Sequence, residues 1–195
     1  MNRTWNFEKG AWQAEDFLSA ASSRVEYRLT FGQKDDCIHN EGADKMDEYA
    51  YVSMVHRTPV SLPCLLETEC SFRTYGAPLL ILADAVDTLP DGRLQYGHHI
   101  EVVGWEKGIN VWDLTPDPEA PNGQRTVNLG RFSFPIGDGA RFLLTARADR
   151  QGLVVGAEVN GRSAQFDCPC VLPEKCYVGI TACEGENYFY RFSIR

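Results

Sequence analysis

The sequence predicts an all-β protein, a two-sheet antiparallel β-sandwich forming one domain over residues 1–195. Three observations carry that expectation. Apolar and polar residues alternate with period two along several runs, as half-buried strands require. Gly and Pro punctuate the chain at short intervals, which suits many short strands. No helical segment of crossover length separates the strand candidates, and parallel pairing needs such crossovers.

The elements follow in order. Residues 15–23 hold Phe17, Leu18, Ala20 and Ala21, a short stretch that fits a brief helix or a loop equally well. Val25, Tyr27, Leu29 and Phe31 alternate with Glu26, Arg28 and Thr30 and open the strand series. Residues 35–48 are acidic and poor in apolar side chains, and read as a long surface loop. Strands are expected at 49–56 and 64–73, separated by Pro59 and Pro63, which break regular pairing. Residues 79–86 are almost continuously apolar, the pattern of a strand buried on both faces. After the turn cluster at 87–92, strands are expected at 94–103, 109–114 and 126–134, with a proline-bearing loop at 115–123.

The C-terminal part is the clearest. Phe142, Leu144, Ala146 and Ala148 alternate with polar or outward residues, and Leu153, Val155, Ala157 and Val159 repeat the pattern. Asn160-Gly161 then stands between two strand patterns, the strongest short hairpin signal, because a type I′ turn needs positive φ at both central residues. Residues 162–166, 177–182 and 188–194 complete the series, for about ten to twelve strands packed as face-to-face antiparallel sheets.

Composition narrows the function classes. The net charge is −8, which argues against a nucleic-acid backbone or an anionic membrane surface as partner and leaves neutral ligands open. No apolar run is long enough for a membrane helix, and Met1 to Glu8 hold no signal-peptide core, so a cytoplasmic location is expected. The seven cysteines are an odd set and are expected to be reduced. The last four, Cys168, Cys170, Cys176 and Cys183, have a C-x-C spacing followed by wider gaps, which departs from zinc-site C-x₂₋₄-C pairs, so buried apolar thiols are expected instead.

The C-terminal succession 141–147, 152–161, Tyr177-Val178-Gly179-Ile180 and Phe189-Tyr190-Arg191-Phe192 resembles the concanavalin A-like lectin/glucanase superfamily, most of all laminin-G-type domains and the 3-keto-disaccharide hydrolase type. The resemblance covers about a third of the chain by this hairpin-and-strand pattern. It implies a jelly roll with any ligand on the concave sheet or its rim, glycan binding or glycoside cleavage as activity, and a structural calcium in some members. For that calcium, Asp35-Asp36 and the acidic run 41–47 are the oxygen-rich stretches. The glucanase branch carries carboxylates as E-x-D-x-x-E. Here the nearest strand, 98–106, has only Glu101 and Glu106, which point to opposite faces, so it does not supply the close carboxylate pair of a retaining glycosidase.

Chemistry is expected around residues 96–113. On one regular strand His99, Glu101, Val103 and Trp105 share a face, while Tyr96, His98, Ile100 and Val102 share the other. The first face lines up an imidazole, a carboxylate and an indole, the set that holds sugars by stacking on C–H faces and bonding to hydroxyls. Glu101 and His99 are the acid–base candidates and Trp105 the stacking platform, with Trp112 and Asp113 extending the surface from the next strand. Asp84 interrupts an apolar strand and must be paired or face a cleft, with Arg73 and Tyr75 on the same rim. His98 and His99 are adjacent and point apart, so no metal site is expected from them. The leading expectation is an enzyme acting on glycosides or oligosaccharides. The alternatives are a non-catalytic glycan-binding module, or a structural or partner subunit without a small ligand.

Overall fold

The computed structural model describes residues 2–23, 30–40 and 51–195. Its strands are β1 (Arg3–Asn6), β2 (Phe17–Ser19), β3 (Gly32–Gln33), β4 (Ile38–His39), β5 (Tyr51–His56), β6 (Val60–Ser61), β7 (Cys64–Arg73), β8 (Ala77–Ala83) and β9 (Val86–Thr88). They continue as β10 (Leu94–Tyr96), β11 (His99–Trp105), β12 (Gly108–Pro116), β13 (Gln124–Ser133), β14 (Phe142–Asp149), β15 (Gly152–Val159), β16 (Arg162–Pro169), β17 (Lys175–Cys183) and β18 (Glu186–Ile194). One sheet runs β16-β15-β14-β7-β18-β4-β3 with β1 added to β18; the other runs β13-β12-β11-β8-β17-β5-β2 with β6 added to β17. All these strand pairs are antiparallel, as the missing crossovers require.

Alternation builds the core between the sheets. Leu66, Phe142, Leu144, Ala146, Val155, Phe189 and Phe192 of the first sheet meet Leu80, Leu82, Ile100, Val102, Ile109, Val111, Val178 and Ile180 of the second. Phe189 and Phe192 are three positions apart, which strict alternation would place on opposite faces. A β-bulge at Tyr190 inserts one extra residue against β7 and returns both rings to the core.

The second sheet is buried on its outer face as well. Leu79, Ile81, Ala83, Tyr51, Val55, Val103 and Cys183 form a smaller cluster there, with Ala20, Ala21 and Tyr96 packed over it. The expected two-sided strand is thus present as β8, every residue of which is buried. It ends at Ala83, because the backbone bends at Asp84 and Val86 starts the separate hairpin β9–β10. Chain segment 20–23 crosses this outer face: Ala21 exchanges backbone bonds with Leu94 and Tyr96, and the Ser22 hydroxyl meets the Gln124 side chain at the start of β13.

The remaining differences from the sequence reading have local causes. Residues 15–23 are a 3₁₀ turn, Ala14–Asp16, followed by β2. The run 94–103 is two strands, because the chain leaves the β9–β10 hairpin at Gly97-His98 before joining the sheet as β11. Residues 37–40 are not surface loop: Ile38 pairs with Phe189, and Asn40 accepts from the Asn187 backbone N–H at 2.7 Å and donates to the Gly185 carbonyl at 2.9 Å. The strand expected at 25–31 and the acidic run 41–47 lie mainly or wholly outside the described residues. Two- to four-residue strands such as β3, β4 and β6 are too short to show a period, which is why the strand count exceeds the expected one.

At the far edge, β13 and β16 end their sheets and meet through Phe132 and Phe166, whose rings stack at 4.1 Å. The β15–β16 turn has Asn160 at φ 51° and Gly161 at φ 74°, both positive as a type I′ hairpin demands. Placing a Cβ at Gly161 in this conformation carries a steric cost, so Gly161→Ala is expected to lower the unfolding free energy by about 1 kcal/mol with an unchanged urea m-value. A wild-type midpoint for the variant would contradict this account of the turn.

Candidate functional site

On the outer face of the second sheet, beside the segment that crosses it, lies a cleft of about 210 Å³. Its walls include Glu101 and Trp105 of β11, Asn110 and Trp112 of β12, and Glu184 of the β17–β18 turn, over a floor of Ala77, Leu79, Val103 and Cys183. Strand parity assembles it. Glu101 pairs with Trp112, and Val103 with Asn110, so these side chains stand in register on one face.

Glu101 is 1% exposed, and its carboxylate takes a hydrogen bond. The Tyr51 hydroxyl donates to Oε1 at 3.2 Å, reaching over from β5 although β17 and β8 stand between β5 and β11. The His99 Nε2 lies 3.9 Å from the same oxygen. His99 is fully buried, and its Nδ1 sits 2.8 Å from the Gly97 carbonyl, which assigns the proton to Nδ1 and turns Nε2 toward Glu101. The Tyr96 ring packs on this imidazole at 5.3 Å. Tyr96 therefore joins the His99 face and not the opposite one, a consequence of the strand break at Gly97.

The two indoles differ. The Arg131 guanidinium lies 4.8 Å from the Trp105 ring centre and the Lys107 ammonium 5.7 Å, so Trp105 is already engaged by cations. Trp112 is half-buried like Trp105 and packs against the outer-face apolar cluster. Trp105 Nε1 and Asn110 Oδ1 are shielded from solvent and, among the described residues, have no hydrogen-bond partner. Such orphaned groups cost about 1–3 kcal/mol each.

Of the residues singled out from sequence, Glu101, Trp105 and Trp112 line the cleft and His99 stands behind Glu101. Asp113 does not join them. As the neighbour of Trp112 on a strand it faces the other side, pairing in register with the core residue Ile100, and its carboxylate takes a 2.9 Å bond with His98 Nε2. Asp84 sits past the end of β8, 4.0 Å from His98 Nδ1, so a histidine with an aspartate at each nitrogen ties β8, β11 and β12 together away from the cleft. Arg73 ends β7 in the opposite sheet and Tyr75 occupies a tight turn at φ 55°; neither lines the cleft. Sequence reasoning missed Asn110, Glu184 and Tyr51. Asn110 was accessible from its parity with Trp112, whereas Tyr51 and Glu184 arrive through non-local pairings that no local pattern announces.

Among the described residues no group of three or more His, Cys, Asp and Glu side chains could hold a metal ion. Asp35 and Asp36 are exposed. Burial pushes the thiols of Cys64 and Cys170 up to about 11 and that of Cys176 up to about 12. At pH 8 roughly one in a thousand such groups is ionised, against about a quarter of ordinary thiols. Iodoacetamide at pH 8 is therefore expected to label the urea-unfolded chain at least about a hundredfold faster than the native one, as followed by mass spectrometry. Equal rates would show that these thiols are accessible and ionised.

No family model matches the sequence, and no curated protein sequence matches it. Solved structures share the fold. The carbohydrate binding module CBM66 from Bacillus subtilis is 10% identical, covers 89% of this chain and 91% of its own, and superposes with a TM-score of 0.59. The exoplasmic/lumenal domain of VIP36, in its Ca²⁺/Man3GlcNAc-bound form, is 12% identical over 92% of this chain and 82% of its own, with a TM-score of 0.57. BuGH16B is 8% identical over 100% and 92%, with a TM-score of 0.60. At these identities the likeness shows the fold alone, a two-sheet jelly-roll β-sandwich shared with a carbohydrate binding module and a glycan-bound lumenal domain.

Proposed function

We propose that this protein binds a carbohydrate in the outer-face cleft, as a glycan-binding module without catalysis of its own. The observation that carries the reading is the convergence of Glu101, Asn110, Trp105 and Trp112 on one small cleft. Trp112 offers an indole face for the C–H face of a sugar ring, and the Glu101 carboxylate and Asn110 carboxamide offer polar groups for its hydroxyls. The Tyr51 hydroxyl donates to the Glu101 carboxylate, which orients it before a ligand arrives. The fold supports the reading by analogy, since its structural relatives include a carbohydrate binding module and a mannose-containing glycan complex.

Hydrolysis is the second reading, and one observation favours it: Glu184 brings another carboxylate to the cleft that holds Glu101. BuGH16B shares the fold. Binding is preferred because a glycosidase must hold a ring on each side of the scissile bond, and this cleft is smaller than the roughly 300–1,000 Å³ of pockets that enclose larger ligands.

A glycan array with the purified protein tests both. Wild type is expected to retain neutral glycans, and Trp112→Ala and Glu101→Gln to weaken that retention by about tenfold or more. No bound glycan, or variants that bind as wild type, would remove the reading. Release of reducing ends from a bound oligosaccharide, lost in Glu101→Gln, would replace it with hydrolysis.

A further inference from the structure

We infer that Glu184 is a ligand-contacting residue of the cleft, and that the β17–β18 turn keeps a strained conformation in presenting it there. The inference rests on the carbohydrate reading and adds a specificity-determining carboxylate to it. Two hairpins of this chain turn on a residue of positive φ followed by a glycine. At the exposed β15–β16 turn the pair is Asn160-Gly161, with φ 51° and 74°. Asparagine enters the left-handed region at low cost, which makes Asn-Gly the favoured pair. At the β17–β18 turn, between Cys183 and Glu186, the pair is Glu184-Gly185, with φ 58° and 20°. Glutamate has no such tolerance, and its Cβ crowds the backbone in this conformation. The turn away from the cleft thus has the residue that suits its backbone, and the turn that borders the cleft does not.

Neighbouring groups hold the turn in that conformation. The Asn187 amide donates to the Glu184 carbonyl at 2.9 Å and to the Cys183 carbonyl at 3.3 Å, and the Asn40 amide donates to the Gly185 carbonyl at 2.9 Å. The β7–β8 turn presses against it from the other side. A Cβ at Gly185 would run into the Thr74 carbonyl oxygen, and one at Gly76 into the Glu186 carbonyl oxygen. Thr74 and Tyr75 also have positive φ, 53° and 55°. Among the described residues the three side chains least suited to that region therefore all lie in these two adjoining turns. Ala77 and Cys183, which flank the turns, pair in register and form part of the cleft floor. Sparsely populated conformations persist where the surroundings over-determine them, and they cluster at ligand sites. Glu184 is half-buried and lines the cleft, so a ring seated there can reach it. With Glu101 it supplies a second carboxylate, a group that accepts from the hydroxyls of a neutral sugar.

The test places the full chain on an array of neutral glycans over a protein dilution series, with Glu184→Gln and Glu184→Asn beside wild type. Thermal unfolding of each protein is followed in parallel. Glu184→Gln keeps the side-chain length and the backbone strain and removes the charge. It is expected to weaken retention about fivefold or more and to leave the thermal midpoint unchanged. Glu184→Asn gives the turn the same pair as residues 160–161 and shortens the side chain. It is expected to weaken retention by a similar factor while raising the midpoint by about 2–4 °C, because the strain is relieved. A residue retained only for the stability of the turn predicts the reverse, a lowered midpoint with unchanged retention. Retention as wild type in either variant, or an Asn variant whose midpoint does not rise, would overturn the inference. Both outcomes leave the carbohydrate reading intact, since Trp112→Ala tests that reading separately. A wild-type chain that retains no glycan loses the carbohydrate reading and this inference with it.

Discussion

Strand β8 is hydrogen-bonded on both edges, to β11 and β17, and buried on both faces. Leu80 and Leu82 face the core between the sheets, while Leu79, Ile81 and Ala83 face the other way. Each fully buried Leu or Ile contributes about 1.5–3 kcal/mol relative to its exposed state, so the outer row is worth covering. That constraint shapes what lies above it. The segment 20–23 and the β9–β10 hairpin cover part of this face, and the cleft occupies the part that Glu101, Trp105 and Trp112 wall off. A sandwich with an ordinary polar outer face would have had no reason to place a cover there, and no cleft beside it.

The same constraint explains the electrostatics of the site. A carboxylate on a strand next to β8 enters a largely apolar surface and must be hydrogen-bonded to stay there. Tyr51 donates to Glu101 across two intervening strands, and His99 approaches from the same strand. Ser53, Thr181 and Tyr96 form a second hydroxyl cluster on this face. Several polar groups of the face are thus satisfied by one another.

Much of this was legible from residue order. The regular alternation of 142–159 and the Asn160-Gly161 turn define β14 to β16, and the unbroken apolar run defines β8. Parity along 99–105 placed Glu101 and Trp105 together, since β11 is a regular strand. The misses follow from breaks in regularity and from distance. Gly97 ends the strand period, so Tyr96 changes face; a Cβ there would lie 2.6 Å from Asp84 Oδ1, which marks how closely the chain passes. Asp113 was read with Trp112 although neighbours on a strand oppose each other. The bulge at Tyr190 shifts the aromatics of β18 by one place. Tyr51 and Glu184 reach the cleft through sheet order, which a single sequence encodes only through the fold.

The stack of Phe132 on Phe166 has a consequence for how copies of this chain meet. The strands that end the two sheets, β13 and β16, are clamped side by side by that contact. Exposed edge strands are templates for intermolecular pairing and aggregation. Here the clamp leaves little freedom for one edge to swing away and recruit a strand from another molecule. β13 also carries exposed Arg125 and Arg131, and β16 exposed Arg162. Two copies approaching β13 to β13 would bring these like charges together. The sandwich thus leaves its sheets open at this side while denying them the fibre-forming geometry that open sheets invite.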